Sequence, residues 1–367
     1  MDALTLSMIL IFGAAALVPV VWAVICLIKG NSRFWFPVVG AIFAVVTLLV
    51  LFIGMATDWY GCCNDNATVI SCVNATTHAQ STVCPHPNPW PQRCGDAGCT
   101  LDGVCTQAPA GSYCPVGEAP VFTFCEEFSD GVVKQPWSTW SDLSFIASGL
   151  WILWWLARFG RGDASANPMR SLSVLAMTYG LIVVFMGPGS MYYHASVKNW
   201  GAYFDSLSVV LWLGFNAAYV WHMLLFSMWG KLQGAWRTGI VLGATALFLL
   251  IFGIVGWVNP DARLSGYLVC GTLWGVGEIA YLFFGRFCSG VKYERNGWIF
   301  LLNFLILAVT MTIWVFFNPD IGPITPPEAC RERESFPGHA LFHILASFAT
   351  MATFWSFVTE RRRVVAD

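Results

Sequence analysis

Charge is scarce in this 367-residue chain: only 11% of its residues are Asp, Glu, Lys or Arg. Water-soluble domains carry about 25%, so a soluble globular protein is excluded. The two signs nearly cancel, at a formal net charge of −2. That leaves no broad positive field of the kind that attracts nucleic acid. Lys and Arg are also missing ahead of the first apolar run, where Asp2 is the one charged residue. The run is too long for a signal-peptide core, and its first basic residues, Lys29 and Arg33, come after it. A standard cleavable signal peptide is therefore not expected. No internal repeat stands out.

Apolar side chains are abundant instead, at 57% of the chain, with 19 Trp and 28 Phe and a mean hydropathy of +0.63. This is the composition of a polytopic membrane protein, its aromatics suited to lipid and to the membrane interface. About 20 apolar residues cross the hydrocarbon core. Nine runs meet that length, at roughly 4–28, 35–56, 138–158, 171–193, 203–226, 238–258, 264–285, 297–317 and 338–359. Backbone groups in lipid must bond within their own segment, so these runs predict helices. Residues 57–137 break the pattern, being rich in Cys, Pro, Gly, Asn and Thr.

Basic residues predict the orientation, because cytoplasmic connections collect Lys and Arg. With the N-terminus outside, inner segments hold Lys29, Arg33, Arg158, Arg161, Arg170, Lys231, Arg237, Arg286, Lys292, Arg295, Arg361, Arg362 and Arg363. Outer segments hold only Arg93, Lys134, Lys198, Arg263, Arg331 and Arg333, although they include the long loop. The expected arrangement is an integral membrane protein of the endomembrane system or plasma membrane. Its N-terminus is lumenal or extracellular and its C-terminus cytosolic.

The loop agrees with that orientation. It carries Cys62, Cys63, Cys72, Cys84, Cys94, Cys99, Cys105, Cys114 and Cys125, a density that predicts disulfides in an oxidising compartment. Asn66 and Asn74 each open a glycosylation acceptor, Asn-Ala-Thr. Nine is odd, so one loop cysteine needs an outside partner. Cys330 is the other cysteine outside the spans on that face, and Cys125–Cys330 is the expected pair. The remaining eight could pair in 105 ways. A zinc-knuckle reading is disfavoured, since thiolates rarely stay unpaired outside the cytosol.

Ionisable side chains within the spans are costly and usually functional. Ser190 and His194 stand four residues apart, and Asp205 follows 11 residues later across a turn. His339 and His343 form His-x3-His at the start of the last run, so both imidazoles lie on one helical face. His194 ends a helix rising to the outer face and His339 begins one descending from it. All three histidines then share one depth. Three neutral imidazoles with an open fourth position suit a catalytic zinc ion. Such an ion supplies a nucleophilic water at neutral pH, Asp205 would take that water's proton, and Ser190 would orient it or stabilise an oxyanion. Pro188, between Gly187 and Gly189, would kink the helix beside Ser190. Each feature has a plainer alternative. A lone intramembrane histidine usually bonds a neighbouring helix, and a membrane serine usually bonds its own i−4 carbonyl. Their shared depth is what favours a metal site.

At these positions the chain resembles the membrane hydrolase superfamily of alkaline ceramidases and adiponectin/progestin-type receptors, in Ser-x3-His-x10-Asp and a final His-x3-His. The likeness covers the seven spans from about 124 to 360. The stretch FCEEFSDGVVKQPWSTWSDLSFIASG, residues 124–149, is similar to the family's Trp-Cys-Glu-Glu-Asn segment, whose acidic residues bind calcium near the zinc. The matching residues are Glu126 and Glu127, with Asp130 able to substitute for a further ligand. Phe124, Phe128 and Gln135 depart from the pattern and put the calcium site in doubt. Without the resemblance, Glu126 and Glu127 read as solvated loop charges. The family also joins its cysteine at the position of Cys125 to the last lumenal loop, in agreement with Cys125–Cys330.

The resulting expectation is an all-α polytopic membrane protein in four parts. Residues 1–56 form two N-terminal transmembrane helices, 57–123 a disulfide-rich lumenal domain, 124–360 a seven-helix zinc hydrolase core, and 361–367 a basic cytosolic tail. The resemblance implies hydrolysis of a membrane lipid amide, ceramide first, with zinc on His194, His339 and His343 and calcium as a second ion. The lumenal domain would shape lipid access, bind a lumenal partner, or serve only as an accessory. Three alternatives remain: an ester-lipid remodelling hydrolase, a receptor of the same superfamily with little catalysis, and a non-catalytic surface protein.

Overall fold

The computed structural model describes residues 3–56, 72–73, 80–81, 92–94, 97–99, 126, 133, 135–162, 164, 167–196, 199–229, 235–259, 262–284, 291–316 and 338–364. Among them the architecture is helical. Two helices come first, α1 (Ala3–Ile28) and α2 (Trp35–Ala56). After the long loop follow α3 (Pro136–Ser141), α4 (Leu143–Phe159), α5 (Val174–Ser196), α6 (Asn199–Trp229) and α7 (Ala235–Val258). The last three are α8 (Arg263–Phe284), α9 (Gly297–Phe316) and α10 (Gly338–Val358). Eight of these are long and apolar enough to cross a membrane. The chain is an integral membrane protein.

The ninth expected span, 138–158, is not one continuous helix. Pro136 fits the first turn of α3, where its missing N–H costs nothing. The helix ends at Ser141, Asp142 turns the chain, and α4 restarts at Leu143. Its 17 residues fall short of a full span by themselves. The polar run Ser138 to Asp142 explains the break, because short polar side chains bond locally and compete with the helical ladder. The Ser141 hydroxyl donates to the Ser138 carbonyl, and the Phe145 amide to the Asp142 carbonyl.

Lipid-facing and interior helices differ in what they expose. On α1, α2, α7 and α9 large apolar residues such as Ile11, Val45, Leu250 and Phe304 face outward, as helices against lipid require. By contrast α5 is buried on most of its surface. An aromatic core of Tyr179, Phe215, Tyr219, Phe354 and Phe357 joins α5, α6 and α10. Tyr179 donates its hydroxyl to the Thr350 carbonyl and accepts from the Trp212 indole. Helix association in lipid relies on packing and such bonds, because lipid tails are as apolar as the side chains.

The Gly-Pro-Gly run is a packing device on two sides of α5. A Cβ at Gly187 would stand 2.9 Å from the Asp142 carbonyl, and one at Gly189 would stand 2.9 Å from Ser208 Cβ of α6. The two glycines let α5 sit close to both neighbours. Helix α5 runs unbroken through Pro188 to Ser196.

The N-terminal helices are built into the bundle rather than appended to it. The Trp151 indole donates to the Ala15 carbonyl, the Tyr192 hydroxyl to the Thr47 carbonyl, and the Arg33 guanidinium to the Gly160 carbonyl. Arg361–Val364 (β6) pairs antiparallel with Val291–Glu294 (β5). Within the cysteine-rich loop the described backbone comprises four short strands, β1 (Cys72–Val73), β2 (Gln80–Ser81), β3 (Gln92–Cys94) and β4 (Ala97–Cys99), paired as two hairpins.

Candidate metal centre

Two helices bring the three histidines together. His194 sits on the last turn of α5, and His339 and His343 sit on the first turns of α10. Ring centroids are 4.9 Å apart for His194–His339, 4.8 Å for His194–His343 and 4.5 Å for His339–His343. One ligand nitrogen from each lies within 4.8 Å of the others. All three side chains are buried, His194 completely. Residues 145 apart in sequence thus share one centre, as the common-depth argument requires.

The segment before and after α3 orients two of these rings. His194 Nδ1 is 2.7 Å from Gln135 Oε1. His343 Nδ1 lies 3.0 Å from Asp142 Oδ1, 3.0 Å from Ser141 Oγ and 3.1 Å from the Ser138 carbonyl. The Ser138 carbonyl only accepts, so His343 Nδ1 carries the proton and Nε2 keeps its lone pair; the nearby Asp142 carboxylate favours that arrangement electrostatically. Gln135 Oε1 imposes the same tautomer on His194. Metal-binding histidines are held this way, with the second nitrogen donating to a carboxylate or carbonyl. Three neutral imidazoles in this tautomer fit a borderline divalent cation such as zinc. The group could hold a metal ion, whose identity the donor set leaves open.

The remaining polar residues converge on the same end of the bundle. Ser190, one turn before His194, faces two carboxylates, those of Asp142 and Asp205. Asp142 is fully buried, whereas Asp205 on α6 is partly exposed. Sequence reasoning missed Asp142, Ser141, Ser138 and the role of Gln135. The signal was an aspartate and three small hydroxyls within an otherwise apolar run, which was absorbed into a span instead.

Glu126 occupies a different role from a loop charge. Its carboxylate accepts from the Trp137 and Ser138 amides, at 2.6 and 2.9 Å, and from the Ser138 hydroxyl. It therefore caps the N-terminus of α3, where amides lack helical partners and the dipole favours an anion. Both oxygens are engaged in that cap. Glu127, Asp130, Cys125, Cys330, Asn66 and Asn74 lie outside the described residues.

A second polar cluster occupies the opposite end. Arg295, just before α9, pairs with Glu278 of α8 and lies 3.8 Å from Glu360, just after α10. Glu360 accepts from Tyr219 at 3.1 Å and Tyr281 at 2.7 Å, and the guanidinium stacks over Tyr281 and Phe357. Asn167 donates to carbonyls of Phe357, Val358 and Glu360, closing the end of α10. Arg295 and Glu360 thus lie at the opposite end of α10 from His339 and His343.

Comparison with known proteins finds no family model that matches the chain. Curated proteins similar to it include inactive rhomboid protein 2 of Homo sapiens, 31% identical over 101 residues, 27% of this chain and 11% of that protein. Inactive rhomboid protein 1 of Bos taurus is 32% identical over 95 residues, 26% of this chain and 11% of that protein. The chain spans about a tenth of the length of these relatives. This corrects the resemblance drawn from the five-residue polar pattern. The similarity found is partial and to inactive rhomboid proteins, not to alkaline ceramidases or adiponectin/progestin-type receptors. The physical reason is that a few polar positions at helical spacing record a chemistry that unrelated bundles can reach.

Proposed function

We propose that this protein is a zinc-dependent hydrolase that works within the membrane on a lipid amide, with ceramide the substrate to test first. The observation that carries the reading is the buried trio His194, His339 and His343, with Asp142 and Gln135 on their outer nitrogens. A zinc ion held by the trio would act as a Lewis acid toward water and the amide carbonyl. Asp205 takes a proton from the attacking water and returns it to the departing nitrogen, as a general base and then acid. Ser190, facing Asp205, holds that carboxylate or donates to the developing oxyanion. The carbon–nitrogen bond breaks, the water oxygen stays on the acyl carbon, and fatty acid and amine leave. The lipid enters sideways from the bilayer, its polar end at the histidine end of the bundle, which the charge bias assigns to the lumenal or extracellular side. The cysteine-rich loop, residues 57–123, would shape lipid access or bind a lumenal partner.

The test is metal content followed by turnover. Purified protein should hold one zinc per chain and release fatty acid from ceramide, with release abolished in Asp205→Ala. Release from ester lipids alone would move the reading to an ester hydrolase. A second reading is favoured by the similarity to proteins named inactive rhomboids: a non-catalytic membrane protein in which the ion is structural. One firmly held zinc with no turnover of either lipid class would decide for it.

A further inference from the structure

Arg263 opens α8 at the same end of the bundle as the histidines, and it is only 5% exposed. An arginine near the membrane interface ordinarily extends its head to water. This one folds back across the end of α7, where its Nε donates to the Gly256 carbonyl at 3.1 Å. Gly256 makes room for it, since a Cβ there would stand 3.1 Å from Arg263 Cγ. The Tyr203 ring lies 5.9 Å from the guanidinium carbon. Asp205, Tyr193 and Tyr267 lie within electrostatic reach, and Tyr193 is next to His194, their rings 5.2 Å apart. The guanidinium therefore lies at the histidine end of the bundle, on the side of Asp205 and Tyr193. Its Nη1 is buried and, among the described residues, has no hydrogen-bond partner.

Buried charged donors are almost always bonded. The plainest role for Arg263 is counter-ion to Asp205, whose charge it reaches, but that role leaves Nη1 without a hydrogen bond among the described residues. Capping of α7 accounts for Nε alone. What remains is a fixed, planar donor at the histidine end of the bundle, and a guanidinium of this kind matches the oxygens of an oxyanion better than any neutral group. We propose that Arg263 binds an oxyanion on the polar end of the lipid, so that the preferred substrates are phosphorylated or similarly anionic lipids rather than neutral ones. This rests on the lipid-hydrolase reading above and names its substrate class.

The experiment uses the full-length, zinc-loaded protein in nanodiscs. Binding is measured for a short-chain N-acyl sphingoid lipid, for its 1-phosphate and for inorganic phosphate, and hydrolysis is followed separately. The phosphorylated lipid should bind at least ~10-fold more tightly than the neutral one. Arg263→Gln should abolish that preference with zinc per chain unchanged, and Arg263→Lys should keep part of it. Gly256→Ala, whose Cβ would press on the Arg263 stem at Cγ, should weaken the preference as well. Equal binding of the two lipids by the unaltered protein overturns the proposal, whatever the variants do. So does inorganic phosphate binding as tightly as the lipid phosphate. A preference that depends on Arg263 without any hydrolysis would sustain the anion site and sink the hydrolase. Hydrolysis without a preference would do the reverse.

Discussion

Replacing Asp142 with leucine tests how the metal centre is held. The carboxylate is fully buried and stands 3.0 Å from His343 Nδ1. Leucine keeps the branched shape, with two methyl groups in place of the smaller oxygens, and removes the charge. Loss of such an outer partner typically lowers metal affinity 10–100-fold, or about 1.4–2.7 kcal/mol. The structure puts the expected value near the lower bound, because the Ser141 hydroxyl and the Ser138 carbonyl still reach the same nitrogen at 3.0 and 3.1 Å. About tenfold is therefore expected, measured by competition with a chromophoric chelator on folded, detergent-solubilised protein. Asp142→Asn retains an oxygen dipole 3.0 Å from Nδ1 and should lose only a few-fold. Gln135→Leu supplies a parallel case, since it removes the acceptor 2.7 Å from His194 Nδ1. If Asp142→Leu bound zinc as tightly as the unaltered protein, the idea that this carboxylate favours the His343 tautomer would be wrong.

Other perturbations probe the rest of the bundle. His339→Ala or His343→Ala should each remove stoichiometric zinc by elemental analysis, because two imidazoles leave too few ligands for a closed or catalytic site. Glu126→Ala deletes the cap of α3 and should lower stability by roughly 1–2 kcal/mol in denaturant titration; an unchanged midpoint would mean that the cap contributes nothing. Glu360→Ala leaves Arg295 without one of its two carboxylates and Tyr219 and Tyr281 without an acceptor. Breaking a buried ion cluster from one side costs about 3–5 kcal/mol, readable as a drop in thermal midpoint with zinc content preserved. Gly187→Ala should disturb packing at the metal centre, since a methyl group there meets both the Asp142 carbonyl and the Ile146 side chain.

Length and apolarity were enough to find the spans, because lipid forces every long apolar segment into a helix. Eight of the nine expected spans correspond to single helices whose ends differ from the expected positions by a few residues. The exception is informative. Counting apolar residues treats Ser138, Ser141 and Asp142 as tolerable interruptions, whereas the chain uses them to end one helix and start another. Periodicity within single helices also gave the pairs Ser190/His194 and His339/His343, since i and i+4 share a face wherever the helix goes.

The sequence by itself determined that this chain crosses a membrane many times and carries histidines at one depth near the ends of two spans. Both follow from local physics, the solvation of the backbone and the pitch of the helix. Tertiary structure alone decided which groups meet. It set Asp142 and Gln135 against the outer nitrogens of His343 and His194, turned Glu126 into a helix cap, and tied Arg295 to Glu278 and Glu360. Contacts between residues this far apart in sequence depend on which helix faces pack together, and many packings satisfy the same apolar pattern.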